Sequence, residues 1–276
     1  MSLFLILIIF CLAMALHELG HAFAMKRNNV PIKKICLVGF GPKICEFRLT
    51  RWFGDTPIEI RAIPIGASVT MGKVGNKEIE LTALPFRTAM EIFSAGIIAN
   101  FASAFACLII PTIYKWYEIG ELMRGVLWSL LLMTITFVLL KYQRWIALFI
   151  PLVGIAMFGI ILYAIFFNNV PTTTVISGPI ETVEVFHKMQ AKKDGFIDAW
   201  KFASVLSLAL GLSNSLPFLP FDGGHTLNGW IQKIIGHKRY NRFKTAITTS
   251  LLAPGLLLIV FAIGRDIYLS MLKLFS

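Results

Sequence analysis

The sequence predicts an all-α polytopic membrane protein that also carries a small membrane-re-entrant β-hairpin or sheet on the cytoplasmic side. Three observations predict this class: 57% of the 276 residues are hydrophobic, the mean hydropathy is +0.74, and only 15% are charged. Soluble domains average about a quarter charged residues. A soluble chain this apolar could not cover its core with polar surface, so we expect lipid to be its main solvent.

Six runs are long and apolar enough to span a bilayer, which takes roughly 20 residues at about 1.5 Å each. The first run lacks a basic N-terminal region and a small-residue cleavage site, so we interpret it as an uncleaved span and not as a signal peptide. We expect one membrane-embedded domain over residues 1–276. The predicted spans are 3–25, 94–113, 123–140, 145–167, 202–220 and 246–270.

Basic residues mark one side of the predicted membrane. They follow the first span, fill the turn between the third and fourth, and separate the fifth from the sixth, and such loops are normally cytoplasmic. The net charge of +11 is explained in this way. Basic–aromatic repeats of the kind that bind nucleic acid are missing from the sequence, so we expect no nucleic-acid partner. The clusters include Lys26, Arg27, Lys33, Lys34, Lys141, Arg144, Lys233, Lys238, Arg239, Arg242 and Lys244.

A β-hairpin is predicted at about residues 44–72. The segment 58–71 begins with alternating apolar and polar residues and is bounded by glycine and proline, which is typical of short strands. Its apolar faces suggest that it dips into the bilayer. Backbone at that depth is tolerated only where protein or a watery cavity satisfies its polar groups, so we expect the hairpin to lean against the helices.

The segment from His17 to His21 has the pattern His-Glu-x-x-His inside the first span. Residues four apart share one helix face, so both imidazoles can bind one cation. Two imidazoles suit zinc, and Glu18 is placed to hold a metal-bound water. Ionisable groups within a span favour a functional interpretation. The alternatives are a buried polar network without metal and, elsewhere in the chain, a metal pair formed by Cys36 and Cys45.

A third ligand is expected from another span at the same depth, and Asp222 fits. The charge rule places both Asp222 and the two histidines near cytoplasmic ends of spans. Pro217 and Pro220 would break the preceding helix, and Gly223 with Gly224 would allow close backbone approach. An aspartate at a helix end is otherwise usually a cap.

These residues resemble the site-2 protease family of intramembrane zinc metalloproteases, and most nearly its bacterial regulator-of-sigma-E protease branch. The resemblance implies one zinc ion held by His17, His21 and Asp222, with Glu18 as catalytic base. It extends to residues 95–101, 177–180 and 222–225. It further implies substrate contacts by Asn100, by Asn214 and by the hairpin residues Ile63, Pro64 and Gly66.

Two features depart from that family. Leu219 stands where the family usually has a proline. That branch also carries PDZ domains in an interval that here holds the apolar runs 123–140 and 145–167. Asn100 and Asn214 could alternatively only bond neighbouring helices.

The expected activity is hydrolysis of peptide bonds within or beside transmembrane segments of single-span membrane proteins. We expect a bacterial cytoplasmic membrane, with the active site toward the cytoplasm. The alternative is a non-catalytic metal-binding membrane protein of the same fold. A transporter is a third class. It predicts ionisable residues spread through several spans, whereas the second, third and fourth predicted spans are nearly free of them.

Overall fold

A computed structural model describes residues 3–64, 66–74, 77–78, 84–114, 149–150, 152–156, 158–159 and 195–275. The predicted span 123–140, most of the predicted span 145–167 and the segment 177–180 lie outside these residues. The short described pieces between 149 and 159 are helical.

Three of the described helices are long and apolar enough to cross a membrane, which indicates an integral membrane protein. The qualifying stretches are Phe4–Arg27, Phe86–Ile109 and His237–Leu272. They correspond to the first, second and sixth predicted spans. The helices of the described chain are α1 (Leu3–Arg27), α2 (Thr50–Phe53), α3 (Phe86–Tyr114), α4 (Gly195–Asn214), α5 (Asp222–Ile235) and α6 (His237–Phe275).

Several helix limits differ from the predicted spans: α4 begins at Gly195 and not at 202, and α6 begins at His237 and not at 246. Helix α3 begins at Phe86, eight residues before the predicted 94, because its first turns carry Arg87 and Glu91 and so fall outside an apolar run. Helix α4 ends at Asn214 and not at 220. Pro217 and Pro220 follow that end, and proline lacks the N–H that a continuing helix needs.

A small sheet is confirmed, but its pairing differs from the predicted hairpin. Its strands are β1 (Ile32–Val38), β2 (Phe40–Arg48), β3 (Pro57–Ile63) and β4 (Ser68–Met71), and their order is β2-β3-β1-β4. The antiparallel pair of β2 and β3 lies largely within the predicted region 44–72, whereas β3 and β4, which both lie within 58–71, do not pair with each other. Instead β1 lies between them, parallel to β3 and antiparallel to β4. A separate ladder joins β5 (Lys73–Val74) to β6 (Lys77–Glu78).

The chain divides into two compact units. The first falls within Met1–Leu148 and Ala199–Asn214. In it α1 contacts α3 and also packs against β1 and β4. Ala22 of α1 joins Ile35, Phe53 and Ile58 in a buried cluster beside the sheet. Helix α1 is thus held between a helix and a sheet, which fixes the rotation of its polar face.

The second unit falls within Phe149–Asp198 and Ser215–Ser276. In it α5 packs against α6. The segment 215–221, between α4 and α5, lies close to α6: the N–H of Leu219 donates to the carbonyl of Leu251 at 3.0 Å. A Cβ at Gly255 would collide with the carbonyl of Leu219, so this approach requires glycine.

Candidate metal centre

His17 and His21 lie one turn apart on α1 and point their rings at one another. Their Nε2 atoms are 3.1 Å apart, and the rings meet edge to face at 84°. Both side chains are buried, 5% and 9% exposed. Two imidazole nitrogens therefore converge on one point inside an apolar helix, as the sequence predicts.

The ring of His21 is fixed by the backbone of α3. Its Nδ1 lies 2.7 Å from the carbonyl oxygen of Ile92, and a carbonyl can only accept. Nδ1 must therefore carry the proton and donate it. In the neutral ring this leaves a lone pair on Nε2, which is the atom that faces His17. His21 is thus held in the tautomer that a metal ligand requires.

Gly96 of α3 lies directly against both histidine rings. A Cβ at this position would stand 2.7 Å from Nε2 of His17 and closer still to Nε2 of His21. Real Cβ contacts are essentially never that short. The pair of imidazoles therefore occupies a hollow that exists because residue 96 has no side chain.

A second glycine brings the two helices together. A Cβ on Gly20 would stand 2.6 Å from the carbonyl oxygen of Ala95 and 2.8 Å from Cβ of Ala99. Small residues at such contacts allow helices to approach closely within membranes. Gly20 thus sets the separation at which the histidines of α1 reach the backbone of α3.

Asn100 is completely buried on α3 and reaches the other histidine. Its side-chain amide lies 2.9 Å from Nδ1 of His17. The sequence left open whether Asn100 would contact substrate or bond a neighbouring helix. The described contact is with the neighbouring helix, and specifically with a histidine of the candidate metal pair.

Asp222 is the first residue of α5, and its Oδ2 atom is buried. The backbone around it is closely packed: a Cβ on Gly223 would collide with the carbonyl of Ser215, and one on Gly224 would collide with Phe218. Both glycines therefore let the turn after α4 lie directly against the start of α5. The sequence-based interpretation of the two glycines agrees with this packing.

The three candidate ligands lie close enough together to bind one ion. Single ligand atoms of His17, His21 and Asp222 all lie within 4.8 Å of one another, which makes a group that could hold a metal. Two imidazoles and one carboxylate are a donor set typical of catalytic zinc, which keeps a fourth position for water. Glu18, half-buried, is the residue next to His17.

The remaining predicted site residues lie elsewhere in the fold. Asn214 ends α4, and its amide donates to the carbonyl of Leu210 in the same helix. Ile63 ends β3 and pairs with Phe40. Gly66 has a φ of +81° and its carbonyl accepts the N–H of Gly39 at 2.7 Å. Pro64 lies between Ile63 and this glycine turn.

Comparison with known proteins places the chain in a family. Residues 4–258 match the model of peptidase family M50. The chain belongs to peptidase family M50. It is therefore a member of a zinc metalloprotease family, as its sequence resemblance implies.

One relative gives a shorter match. A protein of Bartonella henselae named "Putative zinc metalloprotease" is 31% identical to the chain over 93 residues, which are 34% of this chain. Those residues cover 25% of the relative, so the match spans a quarter of that protein's length.

Two residues of this centre were missed in the sequence. Ile92 contributes only its carbonyl, which no side-chain pattern can indicate. Gly96 was noted only as part of a family-like segment. A signal was nevertheless present, because 92, 96 and 100 are spaced four apart and so lie on one helix face.

Proposed function

We propose that this chain is an intramembrane zinc endopeptidase that cleaves peptide bonds within or beside the transmembrane segments of other membrane proteins. One observation carries the proposal: a buried His–His–Asp group whose two histidines, with a glutamate next to the first, lie on a candidate membrane helix of an M50 family member. In this proposal His17, His21 and Asp222 hold one zinc ion.

The donor set and its surroundings fit zinc. Gly96 leaves the hollow in which both rings sit, and the Ile92 carbonyl holds His21 in the ligand tautomer. A zinc ion held there would supply a water of lowered pKa and would polarise the scissile carbonyl. Glu18 accepts the proton of the attacking water and passes it to the leaving amine nitrogen.

The substrate is proposed to be a single-span membrane protein whose helix is locally unwound. A helical peptide has its carbonyls tied up in internal bonds, so cleavage requires an extended segment. Strand addition to a sheet edge would hold it extended. Strand β3 is flanked on both sides by β1 and β2, so the edge nearest the predicted hairpin is β4. We therefore propose β4, Ser68–Met71, as the docking edge.

Two further contacts to substrate remain predictions. Asn214 ends α4 just before the proline-containing turn, where its amide could bond an extended peptide. Ile63, Pro64 and Gly66 form the connection that precedes β4 and are proposed to guide the peptide toward it.

The proposed location is a bacterial cytoplasmic membrane, with the zinc site near the cytoplasmic side. The last turn of α1 contains Lys26 and Arg27, five and six residues after His21, and such basic helix ends favour the cytoplasmic side. We also propose kinship with the regulator-of-sigma-E branch. Because the interval that holds PDZ domains there contains apolar runs here, substrate selection is proposed to work without them.

The test is cleavage of reconstituted single-span membrane proteins by the wild type and by Glu18→Gln, with products identified by mass spectrometry. Loss of the general base should reduce the rate by about 10²–10⁴-fold while zinc stays bound. Glu46→Gln is the matched control, because Glu46 pairs with Lys43 on the exposed strand β2. Undiminished cleavage by Glu18→Gln would contradict the assignment of Glu18 as the general base.

The second candidate is a non-catalytic metal-binding membrane protein of this fold. It predicts one zinc per chain and no cleavage of any tested substrate by the wild type. The intact His-Glu-x-x-His segment favours the protease, because a purely structural zinc site needs no glutamate beside its ligands.

A further inference from the structure

The side-chain amide of Asn100 is fully buried but only partly satisfied. Its Nδ2 atom lies 2.9 Å from Nδ1 of His17. Its Oδ1 atom is buried and has no hydrogen-bond partner among the residues that the structure describes. A buried acceptor without a donor loses its hydrogen bonds to water and gains none in return, so it destabilises the fold. The oxygen and nitrogen of an amide have nearly the same shape, so half a turn about the last side-chain bond exchanges them.

The direction of this hydrogen bond decides whether His17 can bind a metal. If Nδ2 donates to Nδ1, the proton of the neutral ring must be on Nε2, and Nε2 then has no lone pair for a ligand bond. If Oδ1 instead accepts from Nδ1–H, the lone pair is on Nε2. Nε2 is the atom that faces His21, so only the second arrangement aims both ligands at one ion.

We propose that Asn100 is the positioning residue of the zinc site: its Oδ1 accepts the Nδ1–H of His17 and thereby reserves Nε2 for the metal. The inference rests on the proposed zinc site. It also gives the orphaned Oδ1 the donor that it lacks. Metal-ligating histidines commonly donate their other N–H to an oxygen acceptor in this way.

The partner histidine shows the same arrangement already formed. His21 donates Nδ1–H to the carbonyl of Ile92. Positions 92, 96 and 100 lie on one face of α3, so this face offers one oxygen to each histidine with Gly96 between them. Helix α3 is thus a template that sets both ring orientations without contributing a ligand.

This role differs from the substrate contact that the family resemblance implies for Asn100. Its side chain is 0% exposed and lies against His17. A group that bonds substrate must reach the peptide, whereas a positioning group must reach only the ligand.

The experiment compares zinc affinity among three variants of the full chain purified in detergent, by competition with a fluorescent zinc chelator. Asn100→Asp keeps an oxygen acceptor, whereas Asn100→Leu removes it. Ser204→Ala is the matched control, because it removes another buried side-chain hydrogen bond to α3, that of Ser204 to the carbonyl of Ala104 at 2.7 Å.

We expect Asn100→Leu to bind zinc about 10–100-fold more weakly, with Asn100→Asp and Ser204→Ala within about threefold of the wild type. Equal affinity in Asn100→Leu, or equal weakness in Asn100→Asp and Asn100→Leu, would overturn the proposal. A raised KM with unchanged zinc affinity would assign Asn100 to substrate instead, which also overturns it. Failure of the wild type to bind zinc would contradict the zinc site itself and so the proposed function.

A second measurement needs no variant at position 100 and so does not depend on its folding. The chain has five histidines, so ¹⁵N-histidine spectra of the zinc-loaded wild type can be assigned by comparison with His17→Gln. The proposal requires a protonated Nδ1 and a metal-bound Nε2 on His17. A metal-bound Nδ1, or a protonated Nε2, would contradict it.

Discussion

The α1–α3 pair and the four-stranded sheet handle buried polar groups in opposite ways. Between the helices, the Nδ1 atoms of His17 and His21 meet uncharged groups, which are the amide of Asn100 and the carbonyl of Ile92. In the sheet, the carboxylate of Glu59 binds Arg61 at 2.7 Å and lies 3.7 Å from Lys34. Neutral partners leave a ligand nitrogen available for a cation, whereas the sheet neutralises its own charge. The first arrangement suits a metal site, and the second is structural.

Between the helices, the histidine rings depend on the missing side chain of Gly96. Gly96→Ala should therefore cause the largest loss of zinc and of cleavage rate. The new methyl group would lie 2.7 Å from His17 Nε2 and must displace both rings. Displacing a catalytic group by about 1 Å can cost 10²-fold in rate, so we expect at least that loss together with substoichiometric zinc. Metal analysis and the cleavage assay check both.

Gly264→Ala is its matched control, because a Cβ on Gly264 of α6 meets nothing within 4 Å among the described residues. The control should keep its zinc and its rate. Full zinc and full activity in Gly96→Ala would mean that the rings do not occupy the hollow described for them.

The next effect concerns the distance between α1 and α3. Gly20→Ala places a Cβ 2.6 Å from the carbonyl oxygen of Ala95 and must push the helices apart. Overpacking of this kind costs about 1–3 kcal/mol. We expect a lower thermal unfolding midpoint and weaker zinc binding. If unfolding shifts but zinc affinity does not, the helix separation is not what sets the ring geometry.

The smallest effect belongs to the sheet. The hydrogen bond from Arg61, helped by the charge of Lys34, lowers the pKa of Glu59 from its ordinary 4.5. A carboxyl with a lowered folded-state pKa stabilises the fold above pH 4.5, and that contribution is lost as the pH falls through the folded-state value. Glu59→Gln should therefore lower the unfolding midpoint at pH 7 by about 2 °C.

Unfolding of the wild type and of Glu59→Gln at low pH tests the direction of the pKa shift of Glu59. Well below pH 4.5 the wild type and Glu59→Gln should unfold at nearly the same temperature, because the wild-type carboxyl is then protonated. Zinc affinity at pH 7 should not change, since Glu59 belongs to the sheet and not to the helix pair. A large loss of zinc affinity in Glu59→Gln would contradict this, because it would show that the sheet also determines metal binding.

The sequence predicted the parts of this molecule that depend on local pattern. The His-Glu-x-x-His spacing on one helix face and the break after α4 at Pro217 are local, and the structure contains both. The strand pairing is not local. Alternation marks 58–71 as extended, but nothing in that segment indicates that β1, thirty residues earlier, lies between β3 and β4.

The same reason explains what was missed in the site. Side-chain chemistry identified His17, His21 and Asp222, whereas the oxygen of Ile92 and the missing side chain of Gly96 act through the backbone. Such contacts become visible only when α3 lies against α1. Asn100 was predicted as a substrate contact, and that role stays a prediction; its contact with His17 could not be read from its position in the chain.

The most direct test of the zinc site is X-ray absorption at the zinc edge on the purified full chain, combined with metal counting. We predict one zinc per chain, bound by two imidazole nitrogens and by oxygen. We also predict that Asp222→Asn weakens zinc binding, because removing a ligand anion lowers the affinity for the cation. Sulfur in the coordination shell would point to Cys36 and Cys45 instead, and that result, or the absence of zinc, would contradict the assignment of His17, His21 and Asp222.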